Sequence, residues 1–308
     1  MVYYGNIAIL PQFWILINYL LQTTLLSLQD SLPLTCSRSG TCCHGNLVRL
    51  NPWELAQLSN AKNISSAEFL ETFTIAGGSI LHFNGKPNHT GKRSCGQYVE
   101  GNGCSVHRSR PLACRLFPLG RQIQNGTSQY IFQGKEFPCL MECPEVTDLP
   151  HLTVEEYLSG QETKAFENAQ DEYMEVMQNL ADIALTLLLD TGLAESGDRK
   201  TLQSWRKLGT LGPASLVSQV GQEWMQVLML PPLGDQANDP ILFAQMHNEL
   251  IQAKAQELFG ALSSLEEVGK TAELMMAMAL FVAHTLGADT KGLSEHWIVI
   301  AKENGALE

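Results

Sequence analysis

The sequence predicts a mainly α protein in two parts: a small, irregular cysteine-rich metal-binding domain followed by an all-α helical domain. Three observations carry this. All eight cysteines fall between residues 36 and 143 of a 308-residue chain. From Thr153 onward, apolar residues recur at helical spacing between capping signals. Charge divides at the same place, with 11 Lys+Arg against 9 Asp+Glu before residue 151 and 9 against 23 after it. The expected division is residues 1–33 as an apolar N-terminal segment, 34–150 as the cysteine domain and 151–308 as the acidic helical domain. The length suffices for two cores.

The first 29 residues contain no Asp, Glu, Lys or Arg. Ile7–Leu28 is long enough to cross a bilayer. Pro11, Gln12, Asn18, Gln22 and the Thr23–Thr24 pair interrupt it, and no basic residues flank it. A signal peptide needs a positive n-region and a small-residue cleavage site, and neither is clear. A membrane anchor, a buried amphipathic segment and residues read from upstream of the true start codon remain as readings. Arg38 and Arg49 would keep the cysteine domain of an anchored protein cytoplasmic. The expected location is therefore the cytoplasm, with membrane association through residues 7–28 as the alternative.

The chemistry lies in CSRSGTCCH, from Cys36 to His44, and CGQYVEGNGCSVHRSRPLACRLFP, from Cys95 to Pro118, with Cys139 and Cys143 beyond. A secreted disulfide framework would be small and preceded by a clear signal. Structural disulfides and buried thiols packed as small hydrophobes stay open as the plainer account. Metal ligation is the reading that the clustering favours. Thiolate and imidazole bind zinc, thiolate alone builds most iron–sulfur clusters, and His44 and His107 stand beside cysteines. The spacings are Cys-x5-Cys-Cys, Cys-x8-Cys-x9-Cys and Cys-x3-Cys, with no CxxC pair. Gly40 and Gly45 can supply the tight turn that Cys42 and Cys43 need to serve one site. Arg108, Arg110 and Arg115 surround presumed thiolates, where positive charge offsets a metal–thiolate core; solvated surface charge is the other account. Pro111 suits the start of a short helix from Leu112 to Phe117 that presents Cys114.

Around these motifs the elements are short. Asn51 with Glu54, and Pro52 between them, starts a helix whose apolar side is Trp53, Leu55, Ala56 and Leu58. Ser66–Thr74 reads as a second short helix, residues 75–93 as loop or hairpin, and Gln129–Gln133 as strand.

From His151 the chain is helical. Thr153 and Glu156 form a capping box, and periodic apolar residues run on through Tyr173, Leu180 and Leu187 to Gly192. Trp205 marks another short helix, and Pro213 opens one that closes at Pro231–Pro232. Asp239 with Pro240 starts a helix to about Leu262. Ser263–Ser264 begins the next, with Gly287 as its stop, and Ser294 opens the last. Met275, Met276 and Met278 read as core filler, and His284 as a satisfied core histidine. The acidic half repels phosphates and no basic stripe appears, so a nucleic-acid partner is excluded. No phosphate loop, Rossmann glycines or internal repeat is present.

Cys36, Cys42, Cys43, Cys95, Cys104, Val106, His107, Arg110, Pro111, Cys114, Arg115, Phe117 and Pro118 together resemble the YkgJ family of cysteine-cluster proteins, described as zinc- or iron-chelating. The resemblance spans about residues 34–145. It implies a metal site drawn from Cys36, Cys42, Cys43, Cys95, Cys104, Cys114, Cys139 and Cys143, holding Zn2+ or an iron–sulfur cluster, with Arg110 and Arg115 beside it. The implied role is structural or in metal or cluster handling. Flagellin lysine N-methylases are similar in cysteine arrangement and supply the alternative, an iron–sulfur-dependent enzyme. No S-adenosylmethionine motif or radical-type CxxxCxxC run accompanies it, and whether the chain is an enzyme stays open, as does any protein partner.

Overall fold

The computed structural model describes residues 3–4, 23–33, 40–124, 127–133, 150–190 and 199–307. Cys36, Cys139, Cys143, Gly192 and residues 7–22 of the apolar N-terminal stretch lie outside them. The architecture is mainly α, with small sheets confined to the first half.

Strands β1 (Tyr3–Tyr4), β2 (Thr23–Leu26) and β3 (Ser31–Pro33) come first. The end of the apolar N-terminal stretch is thus strand and turn. No helix among the described residues is long and apolar enough to cross a membrane.

Helix α1 (Pro52–Lys62) begins where the sequence places it. Asn51 accepts from the Glu54 amide, and the Glu54 carboxylate accepts from the Asn51 amide. Helix α2 (Ser66–Phe73) follows, then a hairpin of β4 (Thr74–Ile75) and β5 (Ile80–Leu81). A second hairpin pairs β6 (Tyr98–Val99) with β7 (Gly103–Cys104). The short helix α3 (Leu112–Leu116) leads into β8 (Leu119–Gln124) and β9 (Thr127–Gln133). These two lie at the centre of a four-stranded sheet ordered β1-β8-β9-β2.

Strand β10 (His151–Thr153) pairs antiparallel with β3 and hands the chain to α4 (Val154–Gly160), capped by Thr153 and Glu156 as expected. The sequence suggests one continuous helical run from here; the structure breaks it. Helix α5 (Lys164–Asp190) starts anew after Gln161–Thr163, where Glu162 takes a φ of 52°. The freed Gln161 carbonyl accepts from Arg115 Nη1 at 2.6 Å, so a long-range bond occupies a carbonyl that helix continuation would use.

Helix α6 (Arg199–Gly209) carries Trp205. The run opened by Pro213 is two helices, α7 (Pro213–Val220) and α8 (Gln222–Met229), because Gly221 turns between them with a φ of 80°. Helix α9 (Pro240–Phe259) is capped by Asp239, and α10 (Leu265–Leu286) ends at Gly287 in the left-handed region. The last helix, α11 (Thr290–Glu303), begins at Thr290 rather than Ser294.

Helix α10 is the axis of the helical half. Met275, Met276, Met278, Leu280 and Phe281 are fully buried, which bears out the core reading of the methionines. Helix α5 packs along it, α9 and α11 flank α5, and α6 and α7 cover another side. His284 Nε2 bonds the Leu211 carbonyl at 3.0 Å, a satisfied histidine as expected. Buried side chains form a continuous core from Val48 through Leu116 and Tyr157 to Ala301. The cysteine-bearing segments are therefore mounted directly on the helices.

Candidate metal centre

The cysteines reach one point through local devices and long-range bonds. Thr41–Cys43 is a single 3-10 turn bracketed by Gly40 and Gly45, with φ values of 85° and 67°. A Cβ at Gly40 would collide with the Tyr98 ring, so the turn needs glycine for both its backbone angle and its approach. The Cys95 amide donates to the Cys43 carbonyl at 2.7 Å, and the Gly45 amide to that of Arg93 at 3.0 Å. Strand pairing in the second hairpin sets Cys104 opposite Tyr98. Helix α3 carries Cys114, and the Glu54 carboxylate holds that helix in place by accepting from the Leu112 amide at 2.7 Å.

As a result Cys42, Cys43, Cys95, Cys104 and Cys114 line a single cavity of about 30 Å³, with Gln97 and Arg110 in its wall. All five carry thiols rather than disulfides. Cys36, Cys139 and Cys143 lie outside the described residues. His44 is not in this wall: its Nδ1 bonds the Gly40 carbonyl at 2.8 Å, and its ring meets Tyr98 edge-on at 5.0 Å. Instead it borders a wider groove with Lys86 and Asn88. His107 is not in the wall either; its carbonyl accepts from Arg110 Nη1 at 2.6 Å.

The two sequence-flagged arginines take different places. Arg110 faces the cavity, and its charge helps to hold the Cys42 thiol below its ordinary range, after the larger effect of a hydrogen bond with Cys43. Arg115 is a clamp. It is 2% exposed and lies 3.9 Å from the Phe166 ring centre. Its guanidinium donates to the carbonyls of Arg108, Arg110 and Gln161. Burial and the neighbouring Arg110 lower its pKa to about 10.

Cys43, Cys95 and Cys114 are held protonated. The bond to Cys42 pushes Cys43 upward, and burial adds to it. Burial raises Cys95 to about 11, against the Gln97 amide that donates to its sulfur at 3.5 Å. Burial, the other thiols and Glu54 raise Cys114 well above the usual value. Among the described residues no three His, Cys, Asp or Glu side chains stand at preformed chelating distances. Beyond the Cys42–Cys43 hydrogen bond, little draws the buried thiols together; a cation that displaces their protons supplies the attraction.

The lining nevertheless fits such a cation. Five soft donors surround a volume of one small particle. Gln97 Nε2 and Arg110 Nε are buried without an acceptor among the described residues. Each such donor costs roughly 1–3 kcal/mol, and thiolate sulfur is the acceptor this cavity would offer. Hydrogen bonds of this kind accompany metal-bound thiolates. Sequence reasoning missed Gln97 altogether, since an isolated glutamine in a hairpin gives no signal. It saw Glu54 only as a cap.

A family model, CxxCxxCC, described as "Putative zinc- or iron-chelating domain", matches residues 35–133. Comparison with curated proteins and with solved structures returns no match.

Proposed function

We propose that this chain is a metal-binding protein whose cysteine cluster, of the YkgJ type, holds zinc or an iron–sulfur centre in a structural or metal-handling role. One observation carries the reading: five thiols, delivered by a turn, a loop, a hairpin and a helix, line a single cavity. The family match to a chelating domain over the same residues supports it. Cys42, Cys43, Cys95, Cys104 and Cys114 are the proposed described ligands, with Cys36, Cys139 and Cys143 as further members. Arg110 offsets thiolate charge at the cavity, while Arg115 acts from behind by fixing α3. Cytoplasmic residence suits a site that needs reduced thiols. The methylase-like alternative rests on cysteine arrangement alone.

The test is the metal and sulfide content of protein purified without oxygen. Stoichiometric zinc in a colourless preparation means a mononuclear site, and iron with acid-labile sulfide in a brown one means a cluster. Cys104→Ser and Cys114→Ser should each lose most of the bound metal. Full retention in both variants would overturn the ligand assignment.

A further inference from the structure

A second cavity, of about 140 Å³, lies on the other side of α3 from the thiols. Leu112, Ala113 and Leu116 face it, while Pro111 and Cys114 face the cysteine site. Its floor comes from the helical half, at Gln170, Thr285 and Leu286, and its mouth opens past the exposed Leu47 and Ala113.

Two features of its polar wall are unexplained by the fold. Arg49 is partly buried, yet its guanidinium has no hydrogen-bond or ion-pair partner among the described residues; burial alone lowers its pKa. Arg121 is 3% exposed, and its Nε–H is buried without an acceptor. The charge of Arg121 is already met by Asp171, which takes Nη1 and Nη2 at 2.7 and 2.8 Å. Glu54 does not compete for Arg49, because its two oxygens accept from the amides of Asn51 and Leu112, and its carboxyl is pushed up to about 7 by burial. His284, the other titratable group near Arg49, is held neutral by burial, and the arginine's charge adds to that effect. One partly desolvated positive charge, that of Arg49, thus remains in the wall beside Leu47, Leu112 and Leu116, whereas the Arg121 Nε–H has no exposed surface for a ligand to reach. A partly buried guanidinium without a counter-ion has lost some of its hydration with nothing in exchange, and a bidentate anion is its natural complement.

We infer that this cavity is a binding site for a small monocarboxylate with a short apolar tail, its carboxylate on Arg49 and its tail among Leu112, Leu116 and Leu286. The volume is close to that of a cavity that admits benzene, so the tail is limited to about four to six carbons. The site is separate from the thiols and does not depend on the metal reading.

The experiment is calorimetric titration of the full-length chain with butyrate, butyramide and inorganic phosphate. Butyrate should bind at least about tenfold more tightly than either control, because butyramide lacks the charge and phosphate the tail. Arg49→Gln should weaken butyrate binding by tenfold or more. Ala113→Phe, at an exposed position on the rim, should block it sterically without touching the charge. Circular dichroism establishes that each variant is folded. No butyrate binding to the folded wild-type chain, equal affinity for butyramide or phosphate, or unchanged affinity in Ala113→Phe would each overturn the assignment, even if Arg49→Gln failed to fold.

Discussion

His247 shows at the scale of one residue how burial converts to pH dependence. It is 1% exposed; Tyr173 Oη lies 2.9 Å from Nδ1, and the Val227 carbonyl 2.8 Å from Nε2. A carbonyl can only accept, so Nε2 carries the proton and Nδ1 accepts from the tyrosine. Burial lowers the folded-state pKa from 6.5 to about 4. Above pH 6.5 neither state binds a proton here, and the neutral ring contributes in full. Between 6.5 and 4 the unfolded chain takes a proton that the folded chain refuses. Stability contributed by this residue should therefore fall by about 3 kcal/mol across that window. Denaturant unfolding at pH 7 and pH 4.5 should show a smaller drop for His247→Gln than for wild type. Equal drops would mean that the imidazole does not set this slope.

At the scale of elements, α3 is a single short helix whose position decides two sites. Nothing in its own five residues could hold it. Glu54 on α1 fixes its first amide, and Arg115 ties its last turn to the loop at Arg108–Arg110 and to the α4–α5 corner. Arg115→Met should preserve much of the packing on Phe166 but leave those carbonyls without a donor. The loss should be on the order of 3 kcal/mol, since breaking one partner of a buried charged network strands the rest. A lower denaturation midpoint with reduced metal retention is the expected result, and an unchanged midpoint would contradict the clamp. The break between α4 and α5 has the same origin. Its capping box is visible in the sequence, but the carbonyl that ends α4 binds an arginine 46 residues earlier, which no local signal announces.

Across the whole molecule, the cysteine-bearing segments and the helices share packing. Trp53 Nε1 donates to the Ala237 carbonyl at 2.8 Å, and Tyr130 to Glu167 at 2.7 Å. We propose that the division near residue 150 is one of stability, with metal holding the first part and helix packing the second. Short elements around residues 40–124 must offset an ordering entropy of about 1–2 kcal/mol per residue, and a structural metal can supply part of this. Chelator, or acid that protonates the ligands, should speed proteolysis between Gly40 and Gln124. The helices from Val154 onward should change little. Mass-mapped fragments with and without chelator measure this, and identical cleavage would show that metal does not hold the first part.

The sequence by itself determined the confinement of the thiols, the glycines around Cys42–Cys43, the caps at Asn51, Thr153, Asp239 and Ser264, and the apolar face of most helices. These signals act within a turn or two of chain, where spacing alone fixes geometry. Only the tertiary structure decided that five cysteines share a cavity, that Arg115 braces α3 from behind while Arg110 faces the thiols, and that Arg49 meets a pocket with no partner among the described residues. Each of these depends on segments tens of residues apart being packed against one another. Such convergence is fixed by the shape of the shared core rather than by any stretch of sequence.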